Sequence, residues 1–315
     1  MYKKMLKHVR QMMVDQLWQQ YRKTSAQIKT IEQALLEKKI DRFFLDHFAI
    51  IDLPGPQSGL SILSEIFSTL GFIEQGRDYL ADKQNDFLWL AEADSTLHAA
   101  TDVLPQVVVA DFRLDELPVE IKKIIEKYAK KTQPSPLNII KKLSKQVLKQ
   151  DDAAATQLCF ILKNYFTGRD WPLPLTKEFY AVQEFNELLA WVLVFGRKPN
   201  HFTLSIHLLN YFADLTAFGQ FIEEETQLML NREGALIKGG KSAGIAQCST
   251  VGTLQTVPLA DSNIVINTEF VEFVWRHAKE PDCHHPTQWQ DYFTGFIAQH
   301  ADRVIESLYV NNSGG

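Results

Sequence analysis

The sequence predicts an α+β fold in which two related mixed β-sheet modules form a half-barrel-like cleft covered by a helical insertion. Three observations carry this expectation. A strand–helix–strand–strand order occurs before residue 114 and again after residue 196. The stretch between them reads as helix almost throughout. Each half opens on a short strand bearing a histidine in a similar setting, Asp46-His47-Phe48-Ala49 and Asn200-His201-Phe202-Thr203. Identity between the halves is otherwise low, so a duplication is suspected from element order alone. The expected organisation is 1–113 (N-terminal helix and first sheet module), 114–196 (helical insertion) and 197–315 (second module and closing helix), in one compact unit.

The elements follow in order. Met5, Val9, Met12, Leu17 and Tyr21, then Ile28, Ile31 and Leu35, recur at helical spacing over residues 2 to about 40. Phe43 to Leu53 is rich in aromatic and β-branched residues and stops at Pro54-Gly55, which predicts a strand. Leu60, Leu63, Ile66 and Phe67 make an amphipathic helix over 59–70, ended by Gly71. Residues 86–93 and 106–112 read as strands. Helices are expected over 117–128, 137–148, 153–166 and 179–195, with breaks at Pro134, Pro136, Pro172 and Pro174. A strand over 200–209, a helix over 215–230, strands over 244–259 and 264–275, and a closing helix over 289–309 complete the chain.

Composition bounds the function. With 315 residues the chain can bury a sizeable core, and 45% hydrophobic with 23% charged residues is ordinary for a globular protein. The net charge of −5 and the lack of a long basic tract argue against a nucleic-acid partner. No apolar run reaches membrane-spanning length, and the charged N-terminal stretch does not read as a signal peptide. Cys159, Cys248 and Cys283 are widely spaced without a CxxC pair, which fits a reduced, cytoplasmic protein.

Alternation along the first strand places His47 on one face with Leu45, Ala49 and Ile51. An imidazole on an apolar face is either a hydrogen-bonded core residue or a metal ligand. The second role needs further ligands from elsewhere in the chain. His201, on a face with Thr203, Ser205 and His207, supplies one if the two modules pack side by side. A carboxylate is expected from Asn267–Arg276, where Glu272 alternates with the apolar Phe270 and Val274 and Glu269 faces the other way. Alternation favours Glu272, and a bulge would exchange the two. Two histidines and one carboxylate with open positions suit non-haem Fe(II) better than a closed zinc site.

These residues lie in segments that, taken together, resemble the 2-oxoadipate dioxygenase/decarboxylase (hydroxyglutarate synthase) family, a distant likeness of the vicinal-oxygen-chelate fold. The segments are Asp46–Ala49, Asn200–Thr203, Lys238-Gly239 with Gln247-Cys248-Ser249-Thr250, Glu272-Phe273-Val274-Trp275-Arg276, and the Leu-Pro strand 104–109. They span nearly the whole chain in the family's order. The resemblance implies His47, His201 and Glu272 as metal ligands, with Fe(II) as the metal and Zn or Ni as alternatives. It also implies a 2-oxo acid and O₂ as partners, and a 2-hydroxy acid shortened by one carbon plus CO₂ as products. Gln247 and Ser249 alternate on one strand face and are candidates for substrate contacts. The family's pattern has an arginine four residues after its first histidine, gripping a substrate carboxylate. This chain carries Ile51 there, so Lys83 or Arg77 is a candidate substitute cation. Two other readings stand beside the oxygenase: a small-molecule-binding or regulatory protein, and a Zn- or Ni-dependent hydrolase or isomerase.

Two further motifs carry less. Gly240-Lys241-Ser242-Ala243-Gly244 matches G-x-S-x-G, but strand-like residues follow where a nucleophile turn needs a helix. Asp282-Cys283-His284-His285-Pro286 gathers a thiol and two imidazoles, without the second ligand pair of a zinc site.

Overall fold

Alternation on one strand sets the architecture. In the computed structural model, which describes residues 3–280 and 286–309, strand β1 (Leu45–Ile51) buries Phe48 and Ile50 in a helix-packed core. His47, Ala49 and Ile51 line a cavity on its opposite face. Full burial of each large apolar side chain contributes about 1.5–3 kcal/mol, which fixes the strand's facing firmly.

Helices α1 (Lys3–Thr24) and α2 (Ala26–Glu37) precede β1. The single predicted N-terminal helix is interrupted at Ser25, whose hydroxyl caps α2 by accepting from the Ile28 amide. After β1 come α3 (Leu60–Thr69), β2 (Phe72–Leu80), β3 (Asn85–Glu92) and β4 (Gln106–Phe112). The sequence reading missed β2, an edge strand whose middle residues face water.

The helical stretch holds α4 (Val119–Ala129), α5 (Leu137–Val147), α6 (Asp152–Tyr165), α7 (Thr176–Phe185) and α8 (Glu187–Phe195). Asn186 splits the last predicted helix in two, because its side chain caps α8 through the Leu189 amide. Helices α5 and α6 join α1–α3 on one face of the sheet, whereas α4, α7 and α8 pack in the core on the other side.

The second half contains β5 (Phe202–Ser205), α9 (Leu215–Thr226), β6 (Lys238–Gly240), β7 (Ile245–Ser249), β8 (Leu254–Pro258), β9 (Asn263–Asn267), β10 (Glu272–Arg276) and α10 (Ala298–Ile305). Three expectations need correction here. The strand over 200–209 is only β5, followed by a 3₁₀ turn over Ile206–Leu209 that Asn210 closes in the left-handed region. The two long strands over 244–259 and 264–275 each break in two. Gly252 crosses so close to the chain that a Cβ would lie 2.7 Å from the Ser307 carbonyl, and residues 268–271 satisfy their backbone elsewhere. The closing helix begins only at Ala298, because the carbonyls of Phe293, Thr294 and Gly295 accept from Arg276 and Gln106 instead of forming a helix.

One mixed eight-stranded sheet results, in the order β2-β3-β4-β1-β5-β10-β7-β6. Within each half the opening strand pairs in parallel with the last main strand: β1 with β4, and β5 with β10. The halves join edge to edge through antiparallel β1–β5 pairing. This shared pattern gives the two related modules of the half-barrel. Gly240–Gly244 forms a 3₁₀ turn between β6 and β7, a strand-to-strand connection that lacks the helix a nucleophile turn requires. Among the described residues no helix is long and apolar enough to cross a membrane. Asp282, Cys283, His284 and His285 lie outside the described residues.

Candidate metal centre

Strand register brings the predicted side chains together. Across the seam, His47 on β1 lies opposite Thr203 on β5, and Thr203 lies beside Glu272 on β10. Paired residues share a face, so the three point the same way. His201 stands two residues before Thr203 and joins them. One ligand atom from each of His47, His201 and Glu272 lies within 4.8 Å of the others, with all three residues buried. Glu272 Oε2 is 3.3 Å from His47 Nε2 and 3.1 Å from His201 Nε2. Glu269 is elsewhere, beside Thr24 and Lys198.

Each imidazole is aimed by the residue before it. His47 Nδ1 lies 2.8 Å from Asp46 Oδ1, and His201 Nδ1 lies 2.6 Å from Asn200 Oδ1. An Nδ1–H donated to these acceptors leaves Nε2 facing the centre. Adjacent strand residues normally point to opposite faces, but β1 carries a bulge at Asp46: Leu45 and His47 oppose Leu204 and Thr203. The bulge turns Asp46 onto the face of His47, where Ser205 also donates to it. Arg276 then grips both Asp46 oxygens, at 2.7 and 2.8 Å, from full burial. Thr203 donates to Glu272 Oε2, and the Gln247 amide donates to Oε1 at 2.7 Å. Gln247 Oε1 is buried with no hydrogen-bond partner among the described residues.

The electrostatics follow from burial. Burial opposes the charged form of His47, yet Glu272 and Asp46 outweigh it and raise its pKa to about 9. For His201 burial wins, and its pKa is lowered. Burial pushes Glu272 up, but the two imidazoles hold it well below the usual carboxylate range. Asp46 is held low in the same way, chiefly by Arg276. With His47 deprotonated, as metal binding requires, the cluster sets two buried carboxylates against one guanidinium. A cation between the three converging atoms would neutralise that excess, and two imidazoles plus a carboxylate form a sound donor set for one. The residues fit a divalent metal.

Beyond the centre lies a small pocket with room for about 50 Å³ of water. Ala49, Ile51, Leu80, Phe87, Val108 and Ala110 wall it, and Phe296, stacked edge-on against His47, covers it. Gln247 and Ile51 line this cavity. Ser249 shares their sheet but bonds Ser307 instead, and Lys83 sits in the Ala81–Lys83 turn over the Tyr309 ring. Arg77 is exposed and paired with Glu74. The structure therefore brings Gln247 and Ile51 to the cavity but not Ser249, Lys83 or Arg77.

No protein-family model matches the chain. It is 25% identical over 294 residues to the 2-oxoadipate dioxygenase/decarboxylase (chloroplastic/amyloplastic) of Oryza sativa subsp. japonica, covering 89% of this chain and 73% of that protein. The chain is thus similar to the 2-oxoadipate dioxygenase/decarboxylases at a distance. Their fold is shared as well. The crystal structure of hydroxyglutarate synthase from Oryza sativa in complex with 2-oxoadipate superposes with TM-score 0.71 at 22% identity, covering 94% of this chain and 90% of that one. A glyoxalase superfamily protein from Ralstonia eutropha JMP134 superposes with TM-score 0.65 at 15% identity, covering 81% and 75%.

Sequence reasoning assigned no role to Asp46, Asn200, Thr203 or Arg276, which hold the predicted ligands in place. A signal for one pair was present. Arg276 ends the apolar run Phe273-Val274-Trp275, and a buried cation requires a buried anion.

Proposed function

We propose that this protein is a metal-dependent dioxygenase/decarboxylase that acts on a 2-oxo acid, with Fe(II) held by His47, His201 and Glu272. The observation that carries the reading is the meeting of those three side chains at one end of a mostly apolar cavity. The curated relative's name, 2-oxoadipate dioxygenase/decarboxylase, supports the reaction class. The overall change balances without a further reductant. A 2-oxo acid and O₂ give CO₂ and a 2-hydroxy acid one carbon shorter, one oxygen atom entering the new hydroxyl and the other a carboxyl group.

When bound, Fe(II) supplies the chelation of the 2-oxo acid and the redox chemistry with O₂. The chain's own residues do the rest. Asp46 and Asn200 hold each Nδ1–H and so present both Nε2 atoms to one point. Arg276 fixes Asp46, and Thr203 with Gln247 fixes both Glu272 oxygens. Phe296 and the aliphatic walls keep water from the reacting carbon.

Metal analysis and oxygen uptake test the proposal together. Purified protein reconstituted with Fe(II) should hold one iron per chain and consume O₂ when 2-oxo acids are added. His201→Ala should lose the metal, since it removes one of three ligands. Full metal content in that variant would refute the ligand assignment.

A further inference from the structure

The walls of the cavity specify more than a reaction class. Among the described residues, every titratable group lining it belongs to the centre itself: His47, His201 and Glu272. Ala49 and Ile51 follow His47 along the same face of β1, about 7 and 13 Å further on at strand rise. Leu80, Phe87, Val108 and Ala110 continue that surface from the neighbouring strands, and Val304 and Ile305 of α10 close it. Among the described residues no lysine or arginine lines the cavity.

The nearby cations are committed elsewhere. Arg276 spends its donors on Asp46, Gln106 and the carbonyls of Phe293 and Gly295. Lys238 donates to the Asn231 carbonyl. The polar group at the end remote from the centre, Asn85, has its amide Nδ2 on the Asp111 carbonyl at 2.7 Å. A carboxylate placed against these walls would lose its hydration and gain no counter-charge.

Resting on the oxygenase reading for the position of the 2-oxo group, we infer that the substrate is a monocarboxylic 2-oxo acid with an uncharged aliphatic tail. Its 2-oxo acid end sits at the three-residue centre, and its tail runs along Ala49 and Ile51 toward Leu80 and Phe87. A dicarboxylic acid such as 2-oxoadipate is the wrong class for this cavity. Ile51, Val108 and Ile305 are the residues that set the preference.

Calorimetric titration of the Fe(II)-loaded protein under anaerobic conditions tests this without turnover. The probes are 2-oxohexanoate, which replaces the distal carboxylate of 2-oxoadipate by a methyl group, 4-methyl-2-oxopentanoate, and 2-oxoadipate itself. Both monocarboxylates should bind at least about tenfold tighter than 2-oxoadipate. Equal or tighter binding of 2-oxoadipate, or no binding of the monocarboxylates, overturns the inference. Ile305→Arg, on a half-buried helical position, should narrow or invert the ratio; an unchanged ratio would show that the tail does not reach this wall, against the assignment. Oxygen uptake with the same acids separates the two proposals. The predicted binding order without O₂ consumption sinks the oxygenase reading and supports the tail class. Turnover and tight binding of 2-oxoadipate alone does the reverse.

Discussion

The two histidine cradles are built alike and charged differently. His47 leans on a carboxylate, Asp46, which a buried arginine completes; His201 leans on a neutral amide, Asn200. Both rings are buried and both face Glu272. Yet the first imidazole holds its proton to about pH 9, and the second gives its proton up more readily than usual. Burial lowers both and Glu272 raises both; Asp46 adds to the rise at His47, and the charge of His47 adds to the fall at His201. A metal ion bound between them would have to displace a proton from the first imidazole, whereas the second already offers a free nitrogen.

Removing the arginine should break the comparison most severely. Arg276→Leu leaves Asp46 as an uncompensated buried charge, and a loss of about 3–5 kcal/mol is expected in urea unfolding. Stability within about 1 kcal/mol of wild type would mean that Asp46 is neutral or solvated, contrary to its burial.

A third buried histidine sharpens the contrast, because among the described residues no carboxylate forms an ion pair with it and burial outweighs the pull of Asp46. His207 accepts from the Arg276 amide, and burial lowers its pKa to about 4. The sign follows from the unfolded value near 6.5: stability is fully present above that pH and is lost as pH falls through 4. The expected loss is about 3 kcal/mol by pH 4. Unfolding measured across this window should show a shallower pH slope in His207→Gln, and parallel slopes would count against the assignment.

Asp46→Asn converts the first cradle into a copy of the second. The metal should bind about 10–100-fold more weakly, as losses of such outer hydrogen bonds do. Competition with a chelator of known affinity measures it. The smallest effect is expected at the neutral cradle: Asn200→Ala leaves an imidazole N–H unpaired and should cost about 1 kcal/mol in chemical denaturation. A larger effect at Asn200 than at Asp46 on metal affinity would reverse the ranking of the two cradles.

Much of this arrangement was readable in the sequence, for physical reasons that vary by element. β1 and β4 were legible because their buried residues alternate or run continuously apolar between clear breakers. Glu272 was legible because a charge on an apolar strand face requires a partner. β2 was not, since Glu74, Gln75, Arg77 and Asp78 are exposed and a bulge beside Gly76 breaks the alternation. The role of Asp46 was also hidden. Strict alternation sends it away from His47, and only the bulge, a product of pairing with β5, returns it. The overextended closing helix failed for a related reason. Residues 293–295 serve distant donors on Arg276 and Gln106, and no local spacing announces such a demand.

The seam between β1 and β5 divides labour as well as structure. The second half supplies two of the three converging side chains, whereas the first supplies one and most of the cavity wall. Changes at Ala49, Ile51, Phe87 or Val108 can therefore alter what fits the cavity while His201 and Glu272 stay untouched. A lineage built on this plan can explore new substrates with one half of its sheet and conserve its chemistry with the other.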